Sequence, residues 1–180
     1  MKIFVFLADG FEEIEAIVPI DIFRRAGIET ITVSISDEKL VRGAHNISVL
    51  ADSLFSEADF TEMSLLYLPG GMPGTSNLDA HSGLKKLIQN HFDSNKIIAA
   101  ICAAPSVLGK MNLLKGKEAI CYPGFEDKLF GAVLSKDKVV KSGNINTAKG
   151  AGVALEFALM LVEELKGAEA ATKIKESIQM

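Results

Sequence analysis

Short uninterrupted apolar runs recur along the chain, each closed by a glycine or a polar turn and followed by a longer stretch with apolar residues every three or four positions. Runs that do not alternate belong to strands buried on both faces, and the longer spacing belongs to helices that lie over them. The alternation predicts a parallel sheet sandwiched by helices. Ile3 to Leu7 reads as the first strand and Glu12 to Ala26 as the first helix, with Ile14, Ile17, Val18 and Ile22 at helical spacing, a kink at Pro19 and a stop at Gly27. Glu29 to Ser34 reads as a second strand, and Asn46 to Leu50 as part of a hairpin beside it. Residues 35 to 62 give the weakest pattern.

Ser64 to Leu68 is a further buried strand, ending in Pro69-Gly70-Gly71-Met72-Pro73-Gly74 before a helix over residues 76 to 91. Ile97 to Ile101 has the most central character and stops at Cys102. Ala103 to Met111 suits a helix, Glu118 to Cys121 a short strand and Val139 to Ser142 a last strand. A long helix capped near Asn146 follows, with Val153, Phe157, Met160 and Leu161 on one face, and 168 to 178 forms a final amphipathic helix.

The 180 residues suit one domain, 1–180, with 48% hydrophobic and 23% charged residues, an ordinary folded composition. A formal charge of -4 offers no cationic surface for nucleic acid or anionic lipid, so neither is expected as a partner. No apolar stretch approaches the ~20 residues of a membrane helix. The first residues carry no long apolar region or cleavage site, and the two cysteines are too few for a disulfide framework. The expected compartment is the cytoplasm.

In an open α/β sheet, ligands sit where strands end and loops turn into helices. Three such ends are distinctive: Asp9 to Glu15, Pro69-Gly70-Gly71, and Ile101-Cys102-Ala103-Ala104-Pro105. A cysteine at the end of a buried strand, followed by small residues and a helix, is the thiol form of a nucleophile elbow. Gly70 and Gly71 at the neighbouring strand end can turn backbone N–H groups toward an oxyanion. Taken alone, a free cysteine is as often a small buried hydrophobe, and that is the reading preferred for Cys121.

A thiol needs a partner, and the histidines His45, His81 and His91 all precede Cys102, so no triad with a downstream histidine can form. His81 and His91 fall on or beside the helix over 76 to 91 and are expected to face solvent. The remaining candidate is a carboxyl of the first helix. Glu12, Glu13 and Glu15 all complement the helix dipole, but Glu15 lies on the same side as Phe11 and Val18, toward the sheet. A carboxyl buried there would stay protonated and could donate a hydrogen bond to a thiolate, lowering the thiol's pKa.

Glu12-Glu13-Ile14-Glu15 through Arg24-Arg25-Ala26-Gly27, Leu68-Pro69-Gly70-Gly71, Ala100 to Pro105 and Thr147 to Leu165, in this order, resemble the ThiJ/PfpI superfamily, in the branch that holds the Parkinson-disease-associated protein. The likeness runs from Lys2 to the final helix. It implies a flavodoxin-like α/β/α sandwich, usually a homodimer, with Cys102 as the reactive cysteine and Glu15 as its protonated partner. It also implies an oxyanion pair from the N–H groups of Gly71 and Ala103. Relatives act on methylglyoxal and similar 2-oxoaldehydes with no cofactor or metal, forming 2-hydroxy acids, so a small aldehyde is the implied substrate. Some are described as protein deglycases or oxidative-stress sensors.

One departure matters chemically. Many members of the branch place a histidine before a proline near the cysteine, where this chain has Tyr122-Pro123, and a tyrosine is a poor base at neutral pH. His45 falls near where relatives often carry an arginine. Two readings follow, a glyoxalase-like enzyme using Cys102, Glu15 and Tyr122, and a redox sensor in which Glu15 stabilises Cys102 as a sulfinate without turnover. A cysteine peptidase or amidotransferase ranks below both, because Ala103 follows the cysteine and no histidine comes later.

Overall fold

The computed structural model describes residues 1–180. The first strand, β1 (Lys2–Leu7), lies inside the sheet, and its apolar residues are buried on both faces as the lack of alternation predicts. Ile3, Val5 and Leu7 pack to one side, against Ala16, Ile20 and Phe23 of α1 (Glu13–Arg25) and Phe157 and Leu161 of α5 (Ala154–Lys166). Phe4 and Phe6 pack to the other, with Leu78 of α2 (Gly74–Ala80), Leu84 and Ile88 of α3 (Ser82–Asp93), and Val107 and Leu108 of α4 (Pro105–Lys110). The period-2 geometry of a strand thus splits the core into two layers around one sheet.

From β1 the chain passes over α1 to β2 (Glu29–Ser34), and the edge beyond it is completed by β5 (Ser53–Leu54). It then crosses back to the other side of β1, laying down β6 (Met63–Leu68), β7 (Ile97–Ile101) and β11 (Ile145–Ala148) in parallel. β10 (Val139–Ser142) closes that edge antiparallel to β11. The strand order of this seven-stranded sheet is therefore β10-β11-β7-β6-β1-β2-β5. The direction of winding reverses between β1 and β6, and at such a switch point the carboxyl ends of adjacent strands open a crevice.

The expected hairpin is present as β3 (Leu40–Arg42) paired antiparallel with β4 (Ser48–Leu50), but it stands apart from the main sheet. A second outlying pair joins β8 (Glu118–Ala119) to β9 (Val133–Leu134). The last helix is α6 (Ala168–Ser177).

Three expectations need correction. The helix over 76 to 91 is two helices broken at His81, whose Nδ1 accepts the Leu84 N–H at 2.9 Å and caps α3. His81 is half-buried edge-on against Phe55, with ring centroids 4.6 Å apart, and does not simply face solvent. Asn146 caps no helix: it is buried in β11, its amide nitrogen donates to Glu164 at 3.1 Å, and α5 begins eight residues later at Ala154. The capping signature failed because a tight Gly143 turn, with φ +65°, folds the chain into one more strand before the helix.

His91 is the third correction, being 4% exposed, with its Nε2 3.1 Å from the Ile97 carbonyl. Burial, reinforced by the Lys96 charge, holds its pKa down to about 4. The unfolded chain therefore takes up a proton below its ordinary value near 6.5 that the folded chain refuses, and stability is lost as pH falls from there toward about 4. His91→Gln, which keeps a donor for the carbonyl without titrating, should remove roughly 3 kcal/mol of that acid sensitivity in urea denaturation followed across this range. A pH dependence unchanged from the native protein would contradict the assignment.

Candidate active site

The turn after β7 places Cys102 in the left-handed region, with φ +66°. A residue with a Cβ held there costs on the order of 1–3 kcal/mol and persists only where its surroundings over-determine it. They do so here. The Cys102 N–H donates to Ala148 at 2.9 Å, its carbonyl accepts from Tyr122 at 2.8 Å, and the Ala104 N–H closes back on Ile101 at 3.0 Å. The backbone is gripped on both sides, and the thiol is turned out of the strand toward the crevice between β6 and β1. This is the elbow expected from the sequence.

Glu15 reaches the same crevice from the first turn of α1 and is 1% exposed. Its Oε2 accepts the Gly70 N–H at 2.9 Å, and its carboxyl also meets the Cys102 thiol and the Ala151 N–H. Gly70 has no room for a side chain: a Cβ would stand 2.5 Å from Glu15 Oε2 and 2.7 Å from Cys102 Cβ. The Gly71 and Ala103 N–H groups converge on the sulfur. Every position singled out from the sequence for the thiol, the carboxyl and the oxyanion donors thus lies at one place.

Glu12, read as an ordinary first-turn acid, caps the helix by accepting the Glu15 N–H at 2.8 Å, while its own N–H donates to Gly70 at 2.9 Å. The β1–α1 turn and the β6–α2 turn are therefore tied by reciprocal bonds.

The helix interior adds a further tie. Pro19 has no N–H, so the Glu15 carbonyl four residues earlier loses its helical donor. The fully buried Tyr67 of β6 supplies the missing bond, its hydroxyl donating to that carbonyl at 2.9 Å. α1 continues as one helix through Pro19, with β6 supplying the hydrogen bond that the proline removes.

Burial pushes the Glu15 carboxyl up to about 7, opposed by its hydrogen bonds to Cys102, Gly70 and Ala151. Burial also pushes the Cys102 thiol up to about 12, with the Glu15 charge adding to the rise and the Gly71 and Ala103 N–H groups pulling against it. The lowered thiol expected from the sequence is thus not the direction that burial beside a charged Glu15 produces. The first proton leaves the pair near neutrality, and the charge left behind holds the second.

Tyr122 is 51% exposed, with its ring beside Gly150, where a Cβ would stand 3.3 Å from Tyr122 Cδ2 and 3.9 Å from Glu15 Oε1. It borders the site without bonding to the thiol. Cys121 is 1% exposed in the core, as expected.

His45 is held by the buried Glu13, its Nδ1 2.7 Å from Oε2 and its backbone N–H donating to Oε1 at 2.6 Å. This pair was missed because an acid in a first helical turn has a sufficient explanation in the dipole. Glu12, Glu13 and His45 place donor atoms within 4.8 Å of one another, but a cation would have to displace the His45 ring and backbone bonds from Glu13. They read as a loop anchor.

A mostly parallel α/β sandwich with a thiol on a strained strand-to-helix elbow and a buried carboxyl from the next turn defines a flavodoxin-like nucleophile-elbow protein. Residues 1–164 match the model of the DJ-1/PfpI family, and the chain belongs to that family. It is 36% identical over 181 residues to protein DJ-1 homolog B of Arabidopsis thaliana, matching 99% of this chain and 41% of that longer protein. Identity is 34% to the Parkinson disease protein 7 homolog of Danio rerio, covering 95% of this chain and 93% of the relative. It is 33% to the glutathione-independent glyoxalase DJR-1.2 of Caenorhabditis elegans, covering 88% and 84%. Among solved structures, oxidized DJ-1 of Toxoplasma gondii superposes with a TM-score of 0.95 at 37% identity, covering 99% of this chain and 97% of that one.

Tyr67→Phe keeps the ring packing and strands the Glu15 carbonyl in the core. It should lower stability by about 1–3 kcal/mol in denaturant titration, the cost of a buried acceptor left without a donor. A loss indistinguishable from zero would mean that water or a backbone shift replaces the hydroxyl.

Proposed function

We propose that this protein is a cysteine-dependent, cofactor-independent enzyme that converts small reactive 2-oxoaldehydes such as methylglyoxal to 2-hydroxy acids. The observation that carries the reading is the convergence of the Glu15 carboxyl and the Gly71 and Ala103 N–H groups on the Cys102 sulfur at a strained elbow. A named glutathione-independent glyoxalase among its relatives supports it.

Cys102 sulfur adds to the aldehyde carbon, giving a hemithioacetal whose oxyanion is held by the Gly71 and Ala103 N–H groups. The hydrogen on that carbon leaves as a proton and one is returned to the neighbouring carbonyl carbon, which turns the adduct into a thioester. Water then releases the 2-hydroxy acid and restores the thiol. Glu15, the buried carboxyl that meets the thiol, is suited to carry the proton both ways. Tyr122, half in solvent beside it, can orient a substrate oxygen or a water but is a weak base. A modest rate follows.

This reading requires the proton that the pair keeps at neutral pH to rest on Glu15 and the charge on sulfur, the reverse of the order in which burial ranks the two groups. Ultraviolet thiolate absorbance should then appear near pH 7, where the pair loses its first proton; appearance only toward pH 12 would place the proton on sulfur and remove the nucleophile. Purified protein given methylglyoxal should form lactate, and Cys102→Ala should abolish it. Lactate no higher than in that variant would end the proposal.

We also infer a homodimer. Ile14 and Ile17 on the outer face of α1 and Leu40, Ile47 and Leu50 of the β3–β4 hairpin leave an apolar surface exposed, in which Ile17 and Leu50 line one groove. Leu50, 71% exposed, contributes nothing to the core of one chain, so Leu50→Glu should convert a dimer to a folded monomer in light scattering. A native protein that is already monomeric would refute the inference.

A further inference from the structure

A cleft of about 450 Å³ opens beside the elbow, lined among others by Tyr122, Pro123, Lys138, Lys149, Gly150 and Ala151. It shares a wall with the Cys102 site. The Ala151 N–H points to the Glu15 carboxyl, Gly150 lies between that carboxyl and the Tyr122 ring, and the Tyr122 N–H bonds the Cys102 carbonyl. A molecule bound at the sulfur therefore has this cleft as an open direction in which to extend.

Two features of its rim stand out. Lys138 and Lys149 are neighbours across the start of β10 and the end of β11, the Lys149 N–H donating to the Lys138 carbonyl at 2.9 Å. Like charges facing each other on adjacent strands are unfavourable, and side chains that keep them need another reason. Neither lysine has an ion-pair partner, although Lys141 in the same hairpin is matched by Glu164 at 2.9 Å. Glu126, four residues after Tyr122, pairs with neither and accepts the Gly124 N–H at 2.7 Å. Asp137, adjacent in sequence, makes no ion pair with either. In a chain of net charge -4, two unmatched cations stand at the mouth of the nucleophile's cleft.

We propose that Lys138 and Lys149 form an anion-accepting rim, so that the preferred substrates at Cys102 are 2-oxoaldehydes carrying a carboxylate or phosphate at the end remote from the aldehyde. The inference rests on the aldehyde reading of Cys102 for the identity of the reacting end. The rim itself stands on the cleft and its charges.

Alkylation of Cys102 tests the rim without turnover. Iodoacetate and iodoacetamide react alike, sulfur displacing iodide to leave a thioether, and differ in carrying a negative charge or none. The iodoacetate to iodoacetamide rate ratio should fall roughly three- to tenfold in a Lys138→Gln, Lys149→Gln double variant, the range for removing two partly screened charges near the reacting group. A Lys138→Arg, Lys149→Arg variant should retain the native ratio. An unchanged ratio in the glutamine variant, or a Cys102 that reacts with neither reagent, overturns the proposal.

The second arm uses 4,5-dioxopentanoate and its methyl ester, which present the same 2-oxoaldehyde with and without a charged tail. Native protein should favour the acid in kcat/KM, and the glutamine variant should lose that preference. Equal use of both by native protein overturns the rim while leaving the proposed reaction intact. Failure to turn over methylglyoxal or either probe ends the proposed reaction, and the alkylation ratio still decides the lysines. Stronger competition by inorganic phosphate than by acetate identifies phosphate-tailed substrates, and the reverse identifies carboxylate-tailed ones. Inhibition by neither counts against the rim.

Discussion

The arrangement of the site depends on how α1 is seated on the sheet. A helix resting on a parallel sheet by apolar contact alone can slide or rotate by a fraction of a turn at small cost, since packing is only loosely directional. Here three directed bonds remove that freedom. The Gly70 N–H reaches the Glu15 carboxyl, the Glu12 N–H reaches the Gly70 carbonyl, and the Tyr67 hydroxyl reaches the carbonyl of Glu15 itself. With both ends of Glu15 fixed to β6 and its turn, the distance from its carboxyl to the thiol on β7 is set by the spacing of neighbouring strands. Burying an acid in the core becomes acceptable because its oxygens are met by N–H donors and it keeps its proton until near neutrality.

The elbow is the complementary constraint. A left-handed cysteine must be held from outside, and its neighbours do so with backbone groups from β11 and from the segment leading to Tyr122. Small residues are needed on every side for such close approach, which explains Gly70 and the alanines after the thiol. Strain and close packing thus occur at the point where the proposed chemistry needs its thiol.

Much of this was legible in the sequence because the relevant signals are local. Doubly buried strands announce themselves as unbroken apolar runs, and Cys102, Gly70 and Gly71 lie at strand ends that topology brings together. Helical phase placed Glu15 on the sheet face it shares with Phe11 and Val18, and the family resemblance pointed to the same residue. What escaped depends on contacts between distant segments. Asn146 looks like a cap in isolation and becomes a strand residue only because the Gly143 turn returns the chain to β7. His91 sits on a helix whose outer face is polar, yet its position near the end of α3 tucks it under the start of β7. Glu13 could not be paired with His45 from spacing, because that contact is set by where the loop carrying His45 lands, and Lys138 with Lys149 escaped because the strand β11 beside β10 was not expected.

The bond between Tyr67 and the Glu15 carbonyl also links the histories of two positions far apart in the chain. Pro19 creates the vacancy and Tyr67 fills it, so neither residue is neutral without regard to the other. An ancestor with an N–H at position 19 could exchange the tyrosine for phenylalanine freely, because the helix would satisfy its own carbonyl. Once proline is fixed, loss of the hydroxyl leaves an orphaned acceptor directly behind the carboxyl that faces the thiol. The order of substitution matters, and the proline acts as a ratchet that makes a surface-remote tyrosine hard to lose.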